Sequence, residues 1–329
     1  MAFVLSSGDV ELRVERAGER YRWCRFDWNG LVSSLRYRGV ELLGQERPLF
    51  SRNDRKFGRG LHNEFGISAC VGYDDCAVGE WFPKIGVGWL KKDAKPYFFF
   101  TEYEREAIAF DCERSADGTD ATFVCESGNR NGYAYRYEKR IRAAGSGLSV
   151  RYRLENSGEK PIVTDEYTHN FLRFGGRRME KGYALSFPHE IDPARFAKTV
   201  DPDGILSVEK NRVAILGKTR KQFYIGGITA AADGPDGPAG PAGYAGGAGG
   251  AGAIRGEAGL STRWTLVHAG LGVSLSERGS FAPSAVHLWG WKDVISPEVF
   301  FPIRAEPGSA VEWERVYEAG PVRAADNTR

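Results

Sequence analysis

The sequence predicts an all-β fold of two large, mainly antiparallel, twisted sheets, and two observations carry that prediction. Apolar and polar residues alternate with a period of two from one end of the chain to the other. The 3.6-residue period of an amphipathic helix, by contrast, is hard to find over any window longer than about 10 residues. So many strands need two stacked sheets, each larger than an immunoglobulin-type sandwich.

The first predicted strand opens at Tyr21 and Trp23 and reaches Asn29-Gly30, a strong hairpin signal from which Leu31–Tyr37 returns. Further strands are expected at 97–103, 108–112, 122–125, 133–141 and 148–154. In the last, Leu148, Val150, Tyr152 and Leu154 point one way and Ser149, Arg151 and Arg153 the other, before Asn156-Ser157-Gly158 turns the chain. Strands then follow near 162–168, 183–187, 206–216, 223–228, 263–269, 273–275, 286–291 and 311–317. No helix-rich second domain is left over, so residues 1–329 are expected to form one domain. The Gly/Ala/Pro-rich stretch at about 233–259 has almost nothing to bury and reads as a mobile loop inserted between two strands, and the tail from Val322 reads as frayed.

A formal net charge of +2 gives no basis for a nucleic-acid or polyanion partner. The N-terminus has acidic residues within its first ten positions and lacks the apolar core of a signal peptide, and no segment is apolar for long enough to span a membrane. A cytoplasmic location is expected. The five cysteines, Cys24, Cys70, Cys76, Cys112 and Cys125, lack a metal-ligand rhythm and read as reduced thiols, with no metal site. The 8 Trp, 14 Tyr and 19 Phe exceed what a core requires, and aromatic faces stack on the apolar side of a pyranose. The plainer explanation, that aromatic residues favour pleated surfaces, stands beside it.

Three polar clusters exceed what a plain sandwich needs. In the first, 57–66, two glycines free the backbone around Arg59, and His62, Asn63 and Glu64 follow, a density of hydrogen-bonding groups suited to a polyhydroxylated ligand. The second, 79–90, sets Lys84 among aromatic residues, as a donor to sugar hydroxyls or as a cation snorkelling from a strand edge. Its Gly86-Val87-Gly88 step lacks the helix and spacing of a phosphate loop. The third, 164–171, alternates so that Glu166, Thr168 and Asn170 share one face and Asp165, Tyr167 and His169 the other. Histidine titrates near neutrality and is the natural proton carrier there. His169 stands out from His189, His268 and His287 by its polar company. Trp289, in a late strand, is an expected substrate-binding residue.

The motifs Gly-Arg-Gly-Leu-x-Asn-Glu-Phe at 58–65, Tyr-Thr-His-Asn-Phe-Leu at 167–172, and Pro-Glu-x-Phe followed by Glu-Pro-Gly-Ser-x-x-Glu-Trp-x-x-x-Tyr near the C-terminus occur in an order that resembles the galactose mutarotase-like proteins. This is the aldose 1-epimerase superfamily, and the likeness is to its bacterial branch. The resemblance implies a β-supersandwich with a sugar site on the concave face of the larger sheet. It also implies that His169 protonates the ring oxygen, that Arg59 is the arginine at the front of the pocket, and that Glu298, or less favourably Asp293, is the carboxylate base. The family's second histidine finds no match by motif.

The expected function is therefore a carbohydrate isomerase that interconverts sugar anomers by acid/base ring opening, without metal or cofactor. Its catalytic pair is His169 and Glu298, and its substrate-binding residues are Arg59, Asn63, Glu64, Lys84, Glu166 and Trp289. The expected partner is a small sugar or short oligosaccharide. Two alternatives stand beside it: a non-catalytic carbohydrate-binding protein, and a glycoside-cleaving or lyase enzyme using carboxylates among Glu64, Glu166 and Glu298.

Overall fold

A computed structural model describes residues 1–47, 55–229 and 260–322. The Gly-rich insertion and nearly all of the C-terminal tail lie outside the described residues. Strands are numbered in chain order. The first sheet has ten strands, running in space through β1 (Phe3–Ser7), β2 (Val10–Glu15), β3 (Leu31–Tyr37), β5 (Leu61–Phe65), β13 (Ile162–Asn170), β22 (Val294–Ala305), β21 (Ala285–Trp291), β18 (Phe223–Gly226) and β15 (Lys198–Val200), with β4 (Val40–Glu41) beside β3.

The second ten-stranded sheet runs through β16 (Leu206–Glu209), β17 (Arg212–Ile215), β14 (Tyr183–Ser186), β19 (Trp264–His268), β20 (Val273–Gly279), β23 (Ala310–Pro321), β12 (Gly147–Asn156), β11 (Tyr135–Ala144), β10 (Asp120–Glu126) and β9 (Phe110–Arg114). A small third sheet pairs β6 (Trp81–Lys84), β7 (Gly88–Lys91) and β8 (Arg105–Ala107). The strands of the site and of its backing are paired antiparallel. Among the described residues no helix is long and apolar enough to cross a membrane.

The alternation read from the sequence is the alternation of burial. Leu148, Val150, Tyr152 and Leu154 of β12 are buried, and the core they enter also takes Leu12, Leu35 and Phe65 from the first sheet. Each such side chain contributes roughly 1.5–3 kcal/mol on leaving water. Where alternation misleads, side-chain bonds have replaced the strand ladder. Residues 21–29 are irregular: the Phe26 amide donates to the Tyr21 hydroxyl (3.1 Å) and the Trp28 indole to the Trp23 carbonyl (2.9 Å). Accordingly, β3 pairs with β2 and not with that segment.

Residues 97–103 are likewise irregular, folded back so that Tyr97 and Tyr103 stack 6.1 Å apart. The run at 206–216 is two strands, broken at Lys210, which sits at positive φ. The long strand β22 has no period of two to read, because Val294 to Phe300 is buried on both faces. All five cysteines are free thiols.

Candidate active site

In an antiparallel sheet, cross-strand partners lie side by side on one face. Pairing of β5 with β13 sets His62 opposite His169 and Glu64 opposite Tyr167. Pairing of β21 with β22 sets His287 opposite Glu298. On the strand between, His169 Nε2 stands 3.3 Å from Glu298 Oε1. Four neighbouring strands thus contribute His62, His169, Glu298 and His287 to a single row, on the face turned away from the second sheet. In the adjoining row Tyr167 stacks on Phe300 at 4.4 Å and donates its hydroxyl to Glu64 Oε2 at 2.5 Å. Trp289 stands edge-on to His169 at 5.1 Å.

The hydrogen bonds leave particular atoms free. The Arg59 amide donates to His62 Nδ1 at 3.2 Å, which places the ring proton on Nε2. That Nε2 is buried without a partner, as are His169 Nδ1, Glu64 Oε1 and the Trp23 indole nitrogen. An unsatisfied buried polar atom costs about 1–3 kcal/mol. Three of them, on His62, His169 and Glu64, sit on this one face of the sheet, and the fourth is on the segment that covers it. What covers it is the irregular segment: Phe26 lies flat on His62 at 4.8 Å and edge-on to His169 at 5.8 Å, and Tyr21 packs on His62 at 4.7 Å. Arg25 donates to Glu64 (2.8 Å) and to the Tyr167 hydroxyl (3.0 Å). His62, His169 and Glu298 are consequently 1%, 4% and 6% exposed, so a ligand reaches them only if this cover moves.

Burial also sets the proton inventory. It pushes the Glu298 carboxyl up to about 8, with Arg25 and the Ser296 hydroxyl drawing it back down and Glu64 adding to the rise. Burial, then the Arg25 and His62 charges, hold His169 well below the usual imidazole range. His62 is held down in the same way, by burial first and then by Arg59, Lys139 and Arg25. At neutral pH the pair is therefore mostly a carboxylic acid beside a neutral imidazole. Such a pair holds one proton that either member can pass on.

The remaining expected residues divide. Trp289 and Glu64 join the face that carries His169 and Glu298, whereas Asn63 and Glu166 do not. They point between the sheets, where the Asn63 amide nitrogen bonds Glu166 (2.6 Å) and Tyr152 (2.9 Å). Behind them Arg315 bonds both Glu166 (2.7 Å) and Glu277 (2.6 Å), Lys139 reaches Asn63 (2.6 Å), and Asn170 reaches Glu277 (3.0 Å).

Arg59 meets the site through its backbone, while its side chain lines a separate cavity of about 310 Å³ with Glu15, Glu41 and Arg173. Lys84 is 1% exposed and donates to the Phe65 carbonyl (2.5 Å) and the Tyr97 hydroxyl (3.1 Å), which makes it a buried strut and not a pocket wall. Asp293 is drawn to Arg178 (3.5 Å) and Arg173 (3.7 Å). His62, His287 and Arg25 were not expected. His62 lay within a cluster already noted, but only knowledge that β5 pairs with β13 puts it beside His169. Arg25 was hidden by reading its segment as a strand.

The fold is a β-supersandwich of the galactose mutarotase-like kind. No protein-family model matches the sequence, and no curated protein does. Solved structures do. A galactose mutarotase-like protein from Lactobacillus casei ATCC 334 superposes with a TM-score of 0.56 at 12% identity, over 97% of this chain and 100% of that one. A protein of Escherichia coli K12 described as a candidate aldose 1-epimerase gives 0.56 at 11% identity, over 98% and 99%. A galactose mutarotase-like protein from Clostridium acetobutylicum gives 0.55 at 11%, over 98% and 95%. At these identities the likeness shows a shared fold, and activity has to be argued from the site.

Proposed function

We propose that this face binds a sugar and interconverts its anomers, with Glu298 and His169 exchanging protons with the two oxygens on the anomeric carbon. The observation that carries this reading is the pair itself: a carboxyl and an imidazole 3.3 Å apart, both almost wholly buried, on neighbouring strands. Ring opening needs a proton delivered to the ring oxygen and one taken from the anomeric hydroxyl. Those oxygens share one carbon, so donor and acceptor must be close together.

The resting inventory makes Glu298 the readier donor and His169 the readier acceptor, the reverse of the roles implied by resemblance. Glu298 protonates the ring oxygen as His169 takes the hydroxyl proton. The carbonyl face turns, and closure returns both protons. His62 Nε2–H, fixed in one tautomer, donates a hydrogen bond to a substrate oxygen throughout.

The test follows anomer interconversion by polarimetry or NMR over a panel of aldoses. Wild-type protein is expected to accelerate it, with His169→Ala and Glu298→Gln slower by about 10²–10⁴-fold. Unchanged rates in both variants would remove the pair from the mechanism. A second reading, sugar binding without turnover, is favoured by the tight cover of Phe26. Calorimetric titration of the same sugars that finds binding but no acceleration would select it. Paired-carboxylate cleavage has less support, because Glu166 faces the other side of its strand and Glu64 is engaged by Arg25 and Tyr167.

A further inference from the structure

The cover over the catalytic row is fastened at one end and latched at the other. At its Asp27 end, the backbone amide donates to the Asn63 carbonyl (2.9 Å), and the carboxylate accepts from the Asn29 amide (2.6 Å), the Tyr137 hydroxyl (3.1 Å) and Lys139 (3.4 Å). The Trp28 amide donates to the Gly86 carbonyl at 2.8 Å. Asp27 is 2% exposed, and these bonds tie it into the polar layer between the sheets. The stretch before it, Tyr21 to Phe26, belongs to no sheet.

What holds that stretch down is different in kind. Arg25 bridges to Glu64 and Tyr167, the Arg22 amide donates to the Arg55 carbonyl (2.9 Å) and its side chain to the Gly18 carbonyl, Cys24 Sγ donates to the Tyr103 carbonyl (3.4 Å), the Trp23 carbonyl accepts from the Trp28 indole (2.9 Å), and ring contacts add to these. The Arg25 side chain is only 11% exposed, its guanidinium lying 4.4 Å from the rings of Phe26 and Phe99. Beneath the stretch lie three unpartnered polar atoms, His62 Nε2, Glu64 Oε1 and His169 Nδ1, and the stretch itself carries a fourth, Trp23 Nε1. An apolar ring cannot satisfy them. A polyhydroxylated ring in the same place has donors and acceptors for the three on the sheet.

We infer that Tyr21 to Phe26 is a displaceable lid, hinged at Asp27 and latched by Arg25 on Glu64 and Tyr167, and that a sugar enters by taking the place of the Phe26 ring. This rests on the reading of the face as a sugar site, but it makes a claim of its own about access. The closed form is the one in which Phe26 shields both imidazoles. Opening trades one ion pair, the Arg22 and Cys24 hydrogen bonds and ring contacts for hydrogen bonds from the ligand to atoms that otherwise have none. Glu64, released from Arg25, becomes an acceptor for ligand hydroxyls.

The experiment measures access and needs no turnover. Diethyl pyrocarbonate acylates neutral imidazoles that it can reach, and peptide mass spectrometry reports each histidine separately. Full-length wild type, Arg25→Met and Phe26→Ala are treated in parallel, with half-buried His189 and buried His268 as internal references. Both variants are expected to raise the acylation rates of His62 and His169 by about tenfold or more while His268 stays protected, as local opening requires. Saturating galactose or glucose is expected to suppress the rise.

Unchanged rates at His62 and His169 in both variants overturn the lid, and so does a rise that His268 shares equally, since that reports general unfolding. The two readings fail separately. Raised reactivity without anomerisation in any sugar leaves the lid standing and removes the isomerase. Wild-type anomerisation with no gain in reactivity in either variant does the opposite.

Discussion

Glu166 and His169 lie three residues apart on one strand and serve opposite sides of it: Glu166 bonds Arg315 at 2.7 Å between the sheets, and His169 meets Glu298 at 3.3 Å on the outer face. A single strand thus carries both an internal ion network and the proposed proton-transfer pair. The two roles are separable by experiment.

Glu298 makes stability depend on pH in a defined direction. Its folded value of about 8 lies above the ordinary 4.5, so between the two the native state holds more protons than the unfolded chain. The contribution is fully present below about 4.5 and lost as pH rises towards 8. Glu298→Gln abolishes the titration, and the variant is expected to gain roughly 2–4 kcal/mol on wild type between pH 5 and pH 9 in urea unfolding. His169 and His62, whose values are depressed, act with the opposite sign: their contribution is present above 6.5 and lost as pH falls below it. A Glu298→Gln difference that does not change with pH would refute the inventory proposed for the pair.

Arg315 is fully buried against two carboxylates, and Arg315→Met leaves both without their cation. The expected loss is about 3–5 kcal/mol by chemical denaturation. Changing Glu166 and Glu277 to apolar residues in the same chain is expected to recover much of it, because desolvation then no longer falls on unpaired charge. A single variant as stable as wild type would show the network to be energetically idle.

Glu64→Gln and Glu166→Gln were indistinguishable as expectations, since both carboxylates sit in polar motifs. The structure separates them. Glu64→Gln is expected to weaken sugar binding by about tenfold in calorimetric titration, the worth of one charge-assisted hydrogen bond. Glu166→Gln is expected to lower stability while leaving the affinity of the folded protein unchanged. Equal effects on affinity would mean that the two faces are not independent.

Most of the fold was legible because one buried face per strand writes itself as a period of two, as in β12. The two members of the proposed proton-transfer pair each stand in a motif that drew notice in the sequence, and the structure brings them within 3.3 Å. The row itself was not legible. Which strands flank β13 depends on contacts between residues more than a hundred positions apart, and no local pattern records them. The same limit misplaced Asn63 and Glu166, whose faces could not be told apart until Arg315 and Lys139 were seen beside them. At 21–29, buried aromatic side chains imitate a strand while bonding to their own segment.

The two glycines around Arg59 make a further prediction. Gly60 has φ of 60°, and a Cβ there would lie 2.1 Å from the Val32 carbonyl oxygen; at Gly58 a Cβ would lie 2.0 Å from the Phe171 ring. Gly60→Ala is expected to cost roughly 2–4 kcal/mol and to disturb the amide bond to His62. Nitrogen NMR of the imidazole checks this, with loss of the single Nε2–H tautomer as the expected sign. An unaltered tautomer in a destabilised protein would separate the turn from the site.

The row of His62, His169, Glu298 and His287 also bears on how the molecule comes into being. Its members arrive from widely separated stretches of chain, so no early fragment of a growing polypeptide carries the chemistry, and assembly must wait for the latest strands to dock. A slip of one residue in β13 would turn His169 inward and Thr168 outward. Such a slip would also break Glu166 away from Arg315, leaving charge stranded in the core. The same register of β13 therefore serves both ends: the strand position that lets Glu166 meet Arg315 is the one that aims His169 at the outer face.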